Sequence, residues 1–147
     1  MKINSRTKGK AAEREVINKI IQPIVDDVCK QLNIVDIPII ARNLQQSDLG
    51  GYDLIGLPWY AIEVKRCETL LLDRWWAQTE RQAAKDQVPL LIYRQSRKKW
   101  RVQMPGFAPI ADSGGLWVKA DIDLEDFKKW FYHDLRARMA TAAKLKN

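Results

Sequence analysis

Apolar residues recur with a helical period early in the chain, at Ile17, Ile20, Ile21, Ile24, Val25 and Val28. That spacing predicts a first helix from about Lys8 or Gly9. Pro23 lies inside the pattern and has no N–H to donate, so it is expected to kink or end the helix. Glu13 precedes Ile17 by four residues and shares the edge of the apolar stripe. "IVDIPIIAR" then reads as a short strand near a sheet edge, because Pro38 cannot donate to a ladder. "NLQQSDLGGY" reads as a loop, and "DLIGLPWYAIEVKR" as two strands around a tight turn at Gly56 to Trp59.

The second half alternates again. "LLDRWWAQTERQAAKDQ" is helical, with Asp73 as its expected N-cap. "VPLLIYR" is a continuous apolar run, expected as a buried strand, and "KKWRVQM" is a further strand. "PGFAPIADSGG" reads as loop and "LWVKA" as a short strand. From Asp123 onward, Leu124, Phe127, Trp130, Phe131, Leu135 and Met139 form the stripe of an amphipathic helix with basic last turns. The order predicts a mixed α/β (α+β) fold, one mixed sheet flanked by helices, with an extra helix at the C-terminal end.

A chain of 147 residues is expected to form one domain, with a core over about 8–120 and the last helix over about 123–145. The formal charge of +7 favours a polyanionic partner, nucleic acid or an anionic membrane surface. "MKINSRTKGK" has no apolar stretch after its charges, so no secretory signal is expected. No apolar run is long enough to span a bilayer. Cys29 and Cys67 make neither a disulfide framework nor a zinc motif, which fits a reducing cytoplasm.

The chemistry lies in the hairpin. With the turn centred on Pro58, Leu54 pairs with Ile62 and Asp53 falls opposite Glu63. Opposed residues share a face, and Lys65, two beyond Glu63, shares it too. Ile55, Ile62 and Val64 then point to the other face, into the core. Two readings fit these three ionisable groups. One is a cross-strand ion pair on a wet face. The other is a metal-dependent hydrolytic site, in which Mg²⁺ relieves the repulsion of two carboxylates and keeps places for water and phosphate. Lys65 would orient the water or neutralise developing charge. The one histidine, His133, lies in the last helix and is expected on its surface.

Asp, a spacer and Glu-x-Lys on a hairpin form the signature of PD-(D/E)xK nucleases. Within them the chain resembles archaeal-type Holliday-junction resolvases and the phage proteins similar to those. "KGKAAERE" is similar to their basic-Gly lead-in and first helix, "GGYDLIG" to the segment with the metal-binding Asp, and "AIEVKR" to the strand with the second acid and the lysine. The resemblance covers roughly residues 8 to 104. It implies a restriction-endonuclease-like fold, a homodimer, and cleavage of four-way or otherwise branched DNA with Mg²⁺, or Mn²⁺ in its place. It implies the catalytic set Glu13, Asp53, Glu63 and Lys65. The metal ligands would be Asp53, Glu63 and the Val64 backbone carbonyl, joined by Glu13. Gln78 is a further candidate, since some branches place a glutamine of the following helix near the metal. The long segment ahead of the Asp strand and the basic last helix depart from the family core, which bears on the substrate more than on the chemistry.

Basic clusters supply candidate DNA contacts at Lys8, Lys10, Arg14, Arg42, Arg97, Lys98 and Lys99. The loop over 43–52 is expected near the site. Trp59, Trp75 and Trp76 are expected in core or dimer packing rather than stacked on bases, and the Trp75–Trp76 helix and the last helix are candidate dimer surfaces. No small-molecule cofactor and no membrane partner is expected, and an origin in a phage or prophage fits the resemblance. Two other functions stay open on the residues: a less selective nuclease of repair or restriction, and a DNA-binding module without catalysis.

Overall fold

The structure, a computed structural model of the chain, describes residues 5–44 and 51–146. Its first helical stretch is unbroken from Ser5 to Gln31: α1 (Ser5–Val16), a π-helical turn (Ile17–Ile21) and α2 (Gln22–Gln31). Pro23 therefore neither ends the helix nor stands in a regular α-helical ladder. A widened turn precedes it, in which the Gln22 N–H donates to the Ile17 carbonyl five residues back, and Pro23 then occupies the first turn of α2, where its missing donor costs little. Val16, Ile17, Ile20, Ile21, Val25 and Val28 are buried along this stretch.

Among the described residues six strands follow, in sheet order β1-β2-β3-β4-β5-β6. They are β1 (Ala41–Arg42), β2 (Leu54–Ile55), β3 (Tyr60–Cys67), β4 (Val88–Gln95), β5 (Arg101–Pro109) and β6 (Gly115–Asp123). β3 and β4 are parallel and joined through α3 (Leu72–Gln82); the other neighbours are antiparallel. α4 (Leu124–Leu145) closes the chain. This is the expected α+β architecture, a mixed sheet with helices on it, consistent with a restriction-endonuclease-like fold.

The period of two sorts the strands into two faces. Ile62, Val64, Leu90, Ile92, Val102 and Met104 pack with α1, α2 and α4 in the main core. Leu91 and Tyr93 face the other way, against Trp75 of α3. The parallel register sets Glu63 beside Leu91 and Lys65 beside Tyr93, so the two charged residues share the α3 face. α4 has Asp123 as its N-cap, accepting from the Asp126 N–H at 2.8 Å, and buries Phe127, Phe131, Leu135 and Met139.

Four local expectations are corrected. Asp73 makes no cap; it stands in the first turn of α3, after Leu71. β1 is at the sheet edge as expected but only two residues long. Ile55 is exposed rather than in the core, because Leu54 shares the core face with its register partner Ile62 and the next residue along the strand points the other way. "PGFAPIADSGG" is mostly strand, not loop. Pro105 and Pro109 lack donors, yet beyond Gln103 β5 pairs only with β6, and a strand bonded along one edge tolerates proline.

Candidate active site

β2 is too short to accompany β3 along its length, and a side chain continues where the backbone ladder stops. The ladder ends at Leu54↔Ile62. The Asp53 N–H donates to the Ile62 carbonyl at 2.8 Å, and the Asp53 carboxylate accepts the Val64 N–H at 2.7 Å. A charge-assisted bond of this kind fixes the carboxylate against β3. The turn that brings β2 back requires Gly56: its φ is +126°, and a Cβ there would sit 2.8 Å from the Ile39 carbonyl oxygen.

Asp53 and Glu63 are both buried, at 6 and 1% exposure. Among the described residues, neither Glu63 carboxylate oxygen meets a hydrogen-bond donor. Burial pushes the Glu63 carboxyl up to about 9; the charge of Asp53 and a hydrogen bond to it add to the rise, and Lys65 opposes it. The metal-free chain thus keeps Glu63 protonated at neutral pH, able to donate to Asp53. Burial also raises Glu13, against the bond it accepts from Arg42 at 2.5 Å. Asp53 pushes Glu13 further up, and Arg14 pulls it down.

Above these groups lies an open cleft of about 480 Å³, lined by Lys8, Glu13, Asp53, Val64, Lys65 and Glu68 among others. Crowded acids with orphaned oxygens beside a lysine suit a divalent cation. Among the described residues no three His, Cys, Asp or Glu side chains are gathered closely enough to hold an ion alone. That is compatible with Mg²⁺, which takes one or two carboxylates and keeps several waters. Asp53 and Glu63 fit that donor set; Glu13 is tied to Arg42 instead.

The structure thus brings Lys8, Glu13, Asp53, Val64 and Lys65 to one cleft. Arg14 and Lys10 are exposed on α1. Arg97, Lys98 and Lys99 are exposed on the β4–β5 turn, at the same end of the sheet, where the Ser96 N–H donates to the Cys67 carbonyl. Lys98 and Lys99 line a separate cleft of about 540 Å³ with Arg94, Trp100 and Arg101. Gln78 is half-buried on α3, the helix covering the Glu63 face; four residues on, the side-chain carbonyl oxygen of Gln82 is buried with no donor among the described residues. Of the 43–52 loop, residues 45–50 lie outside the described residues. Trp75 is buried against Leu91 and Tyr93, so it is not available as a dimer surface, and Trp59 and Trp76 pack against the cores. His133 is exposed on α4.

One cluster escaped the sequence reasoning. Glu15 accepts from Arg94 and from the Trp100 indole N–H, each at 3.3 Å, and lies 4.0 Å from Arg66. Arg66 and Arg94 are register partners on β3 and β4, and Arg66 lines the cleft beside Lys65. The only signal in the chain was the second glutamate of "AERE", two residues after Glu13.

Two observations extend the picture beyond the chain. A family model described as "Phage putative PDDEXK endonuclease" matches residues 4–114, a span that includes Glu13, Asp53, Glu63, Lys65 and Gln78 and stops short of α4. No curated protein and no solved structure matches the chain. No helix among the described residues is long and apolar enough to cross a membrane.

Proposed function

The chain belongs to this phage family of PD-(D/E)xK endonucleases, nucleases that typically depend on a divalent metal, and from that premise we propose a Mg²⁺-dependent, structure-selective DNA endonuclease acting on four-way junctions. It acts as a homodimer in the cytoplasm of a host cell. The observation that carries the reading is Glu63, buried beside Asp53 and Lys65 with no donor among the described residues for either carboxylate oxygen.

In this reading Asp53, Glu63 and the Val64 carbonyl would hold Mg²⁺, or Mn²⁺ in its place, with Glu13 alongside. When bound, the ion supplies a more acidic water and charge stabilisation at the phosphate. Asp53 is already held in place by the Val64 N–H, so little reorganisation remains. To serve as a ligand Glu63 would release its proton to solvent, and Lys65 would compensate the resulting charge. Lys65 also orients a water and neutralises charge on the scissile phosphate. Arg42 holds Glu13 at the cleft wall. Lys8, Lys10, Arg14, Arg97, Lys98 and Lys99 contact flanking phosphates, which supply most of the affinity. Gln78, on the helix that covers the Glu63 face, is a further candidate at the site. A junction is two-fold symmetric and needs two cuts, and a C₂ dimer presents two sites under the same symmetry.

The test is incubation with a four-way junction, its linear duplex and its single strands, in Mg²⁺ or in EDTA. Paired symmetric nicks in the junction alone, lost in EDTA, are expected. Cutting of all three substrates would instead indicate a general nuclease. Tight binding without cutting under any metal would make the chain a binding module. Asp53→Asn and Glu63→Gln should each reduce cleavage to background while sparing junction binding; wild-type rates in either would displace the site.

A further inference from the structure

β5 and β6 outrun the sheet they belong to. β4 pairs with β5 only from Leu91↔Gln103 to Tyr93↔Arg101, whereas β5 and β6 stay paired as far as Pro109↔Gly115. Past Gln103 they form a two-stranded ribbon. β5 starts from the turn beside Cys67 and runs antiparallel to β4, so the ribbon tip lies at the opposite end of the sheet from Lys65 and the cleft.

The ribbon is apolar on both faces and exposed on both. Phe107 and Trp117, register partners in edge-to-face contact at 5.4 Å, are 55 and 72% exposed. Leu116 and Val118 occupy the other face at 58 and 46%. A two-stranded ribbon is marginal in water by itself, and an apolar patch of this extent marks a surface that a partner covers. β6 is also the sheet's edge strand, its outer main-chain groups available to pair.

Charge decides what kind of partner fits. From Met104 to Ala120 the ionisable residues are Asp112 and Lys119, a net of zero in a chain of +7. Lys119 is engaged with Asp73 at 3.4 Å. A DNA surface needs cations for phosphate, and this ribbon has almost none. A second copy of the chain fits better. Antiparallel pairing of β6 with itself about a two-fold axis through Val118 sets Trp117 opposite Lys119 of the second copy and Leu116 opposite Ala120, with no like charges opposed. Trp117, Leu116 and Val118 of β6, each about half exposed or more, with Phe107 beside Trp117, supply the apolar centre that such an interface needs.

We propose that β6 of one copy pairs antiparallel with β6 of a second, making the β5–β6 ribbon the dimer interface. The proposal rests on the homodimer in the functional reading and gives it a surface. The test is the mass of the full chain in solution, by light scattering and sedimentation, for wild type, Trp117→Glu and Val118→Lys, with far-UV circular dichroism as the check on folding. A wild-type dimer is expected, with the dissociation constant raised at least ~30-fold in both variants at unchanged ellipticity. A wild-type dimer whose variants stay dimeric would overturn the ribbon interface and leave the homodimer intact. A monomeric wild type at high micromolar concentration would overturn both, and the junction assay would still judge the chemistry separately. Weakened junction binding in the variants without any change in mass would assign the ribbon to DNA and overturn the proposal.

Discussion

Glu63 is a carboxylic acid that the fold holds neutral, and that has a measurable consequence. Its ordinary value is 4.5, and burial with Asp53 nearby takes it to about 9. Between those values the folded chain binds a proton that the unfolded chain has released. The stability it contributes is therefore fully present below about pH 4.5 and is lost as pH rises toward 9. The melting temperature of the metal-free protein should fall from about pH 5 to about pH 9. Glu63→Gln should flatten that slope and raise the melting temperature near pH 8; an unchanged slope would mean that another group sets it. The face shared by Glu63 and Lys65, and the Leu54–Ile62 register, follow from a tight turn and a period of two, so both are legible in the chain. The depth of Glu63 is not, because the helix covering its face arrives nine residues after Glu63, by a crossover. The Glu13–Arg42 pair is equally hidden, since 29 residues separate its members.

Elements were legible where one physical rule governed them. α4 follows from its apolar stripe, of which Phe127, Phe131, Leu135 and Met139 are buried. Phe131 is fully buried, stacked on Phe127 at 5.4 Å and in edge contact with Tyr60 at 5.1 Å. Phe131→Ala should cost about 3–5 kcal/mol, read as a lower midpoint in urea denaturation with little change in slope. A loss below about 1 kcal/mol would mean that α4 is dispensable to the core. "KKWRVQM" and "LWVKA" were legible as strands, but the full extent of β5 and β6 was hidden by two prolines and three glycines in a segment that composition reads as a loop. What overrides composition is pairing with a neighbour, and no local pattern reports that.

Across the whole molecule, the cleft with Lys8 and Lys65 and the β4–β5 turn with Arg97, Lys98 and Lys99 lie at one end of the sheet, and the apolar ribbon extends at the other. If Lys98 and Lys99 each neutralise a phosphate, Lys98→Ala and Lys99→Ala should each lower the log–log salt dependence of junction affinity by about 1, equally for all sequences. Fluorescence anisotropy in EDTA across a salt series reads this, and unchanged slopes would remove the turn from the DNA footprint. The π-helical turn at Ile17–Ile21 also bears on this polarity. Each residue of an α-helix advances about 100° around its axis. The widened turn, with its bond over five residues, takes up one residue more than an α-helical turn, so α1 and α2 keep the relative phase of a regular helix one residue shorter. If the same residues ran as regular α-helix through Ile17–Ile21, α1 would turn by about that angle against α2, carrying Glu13 away from the cleft it lines. Deleting one residue within the widened turn should therefore keep both helical ellipticity and cleavage; lost cleavage at unchanged ellipticity would mean that the turn does more than absorb a residue.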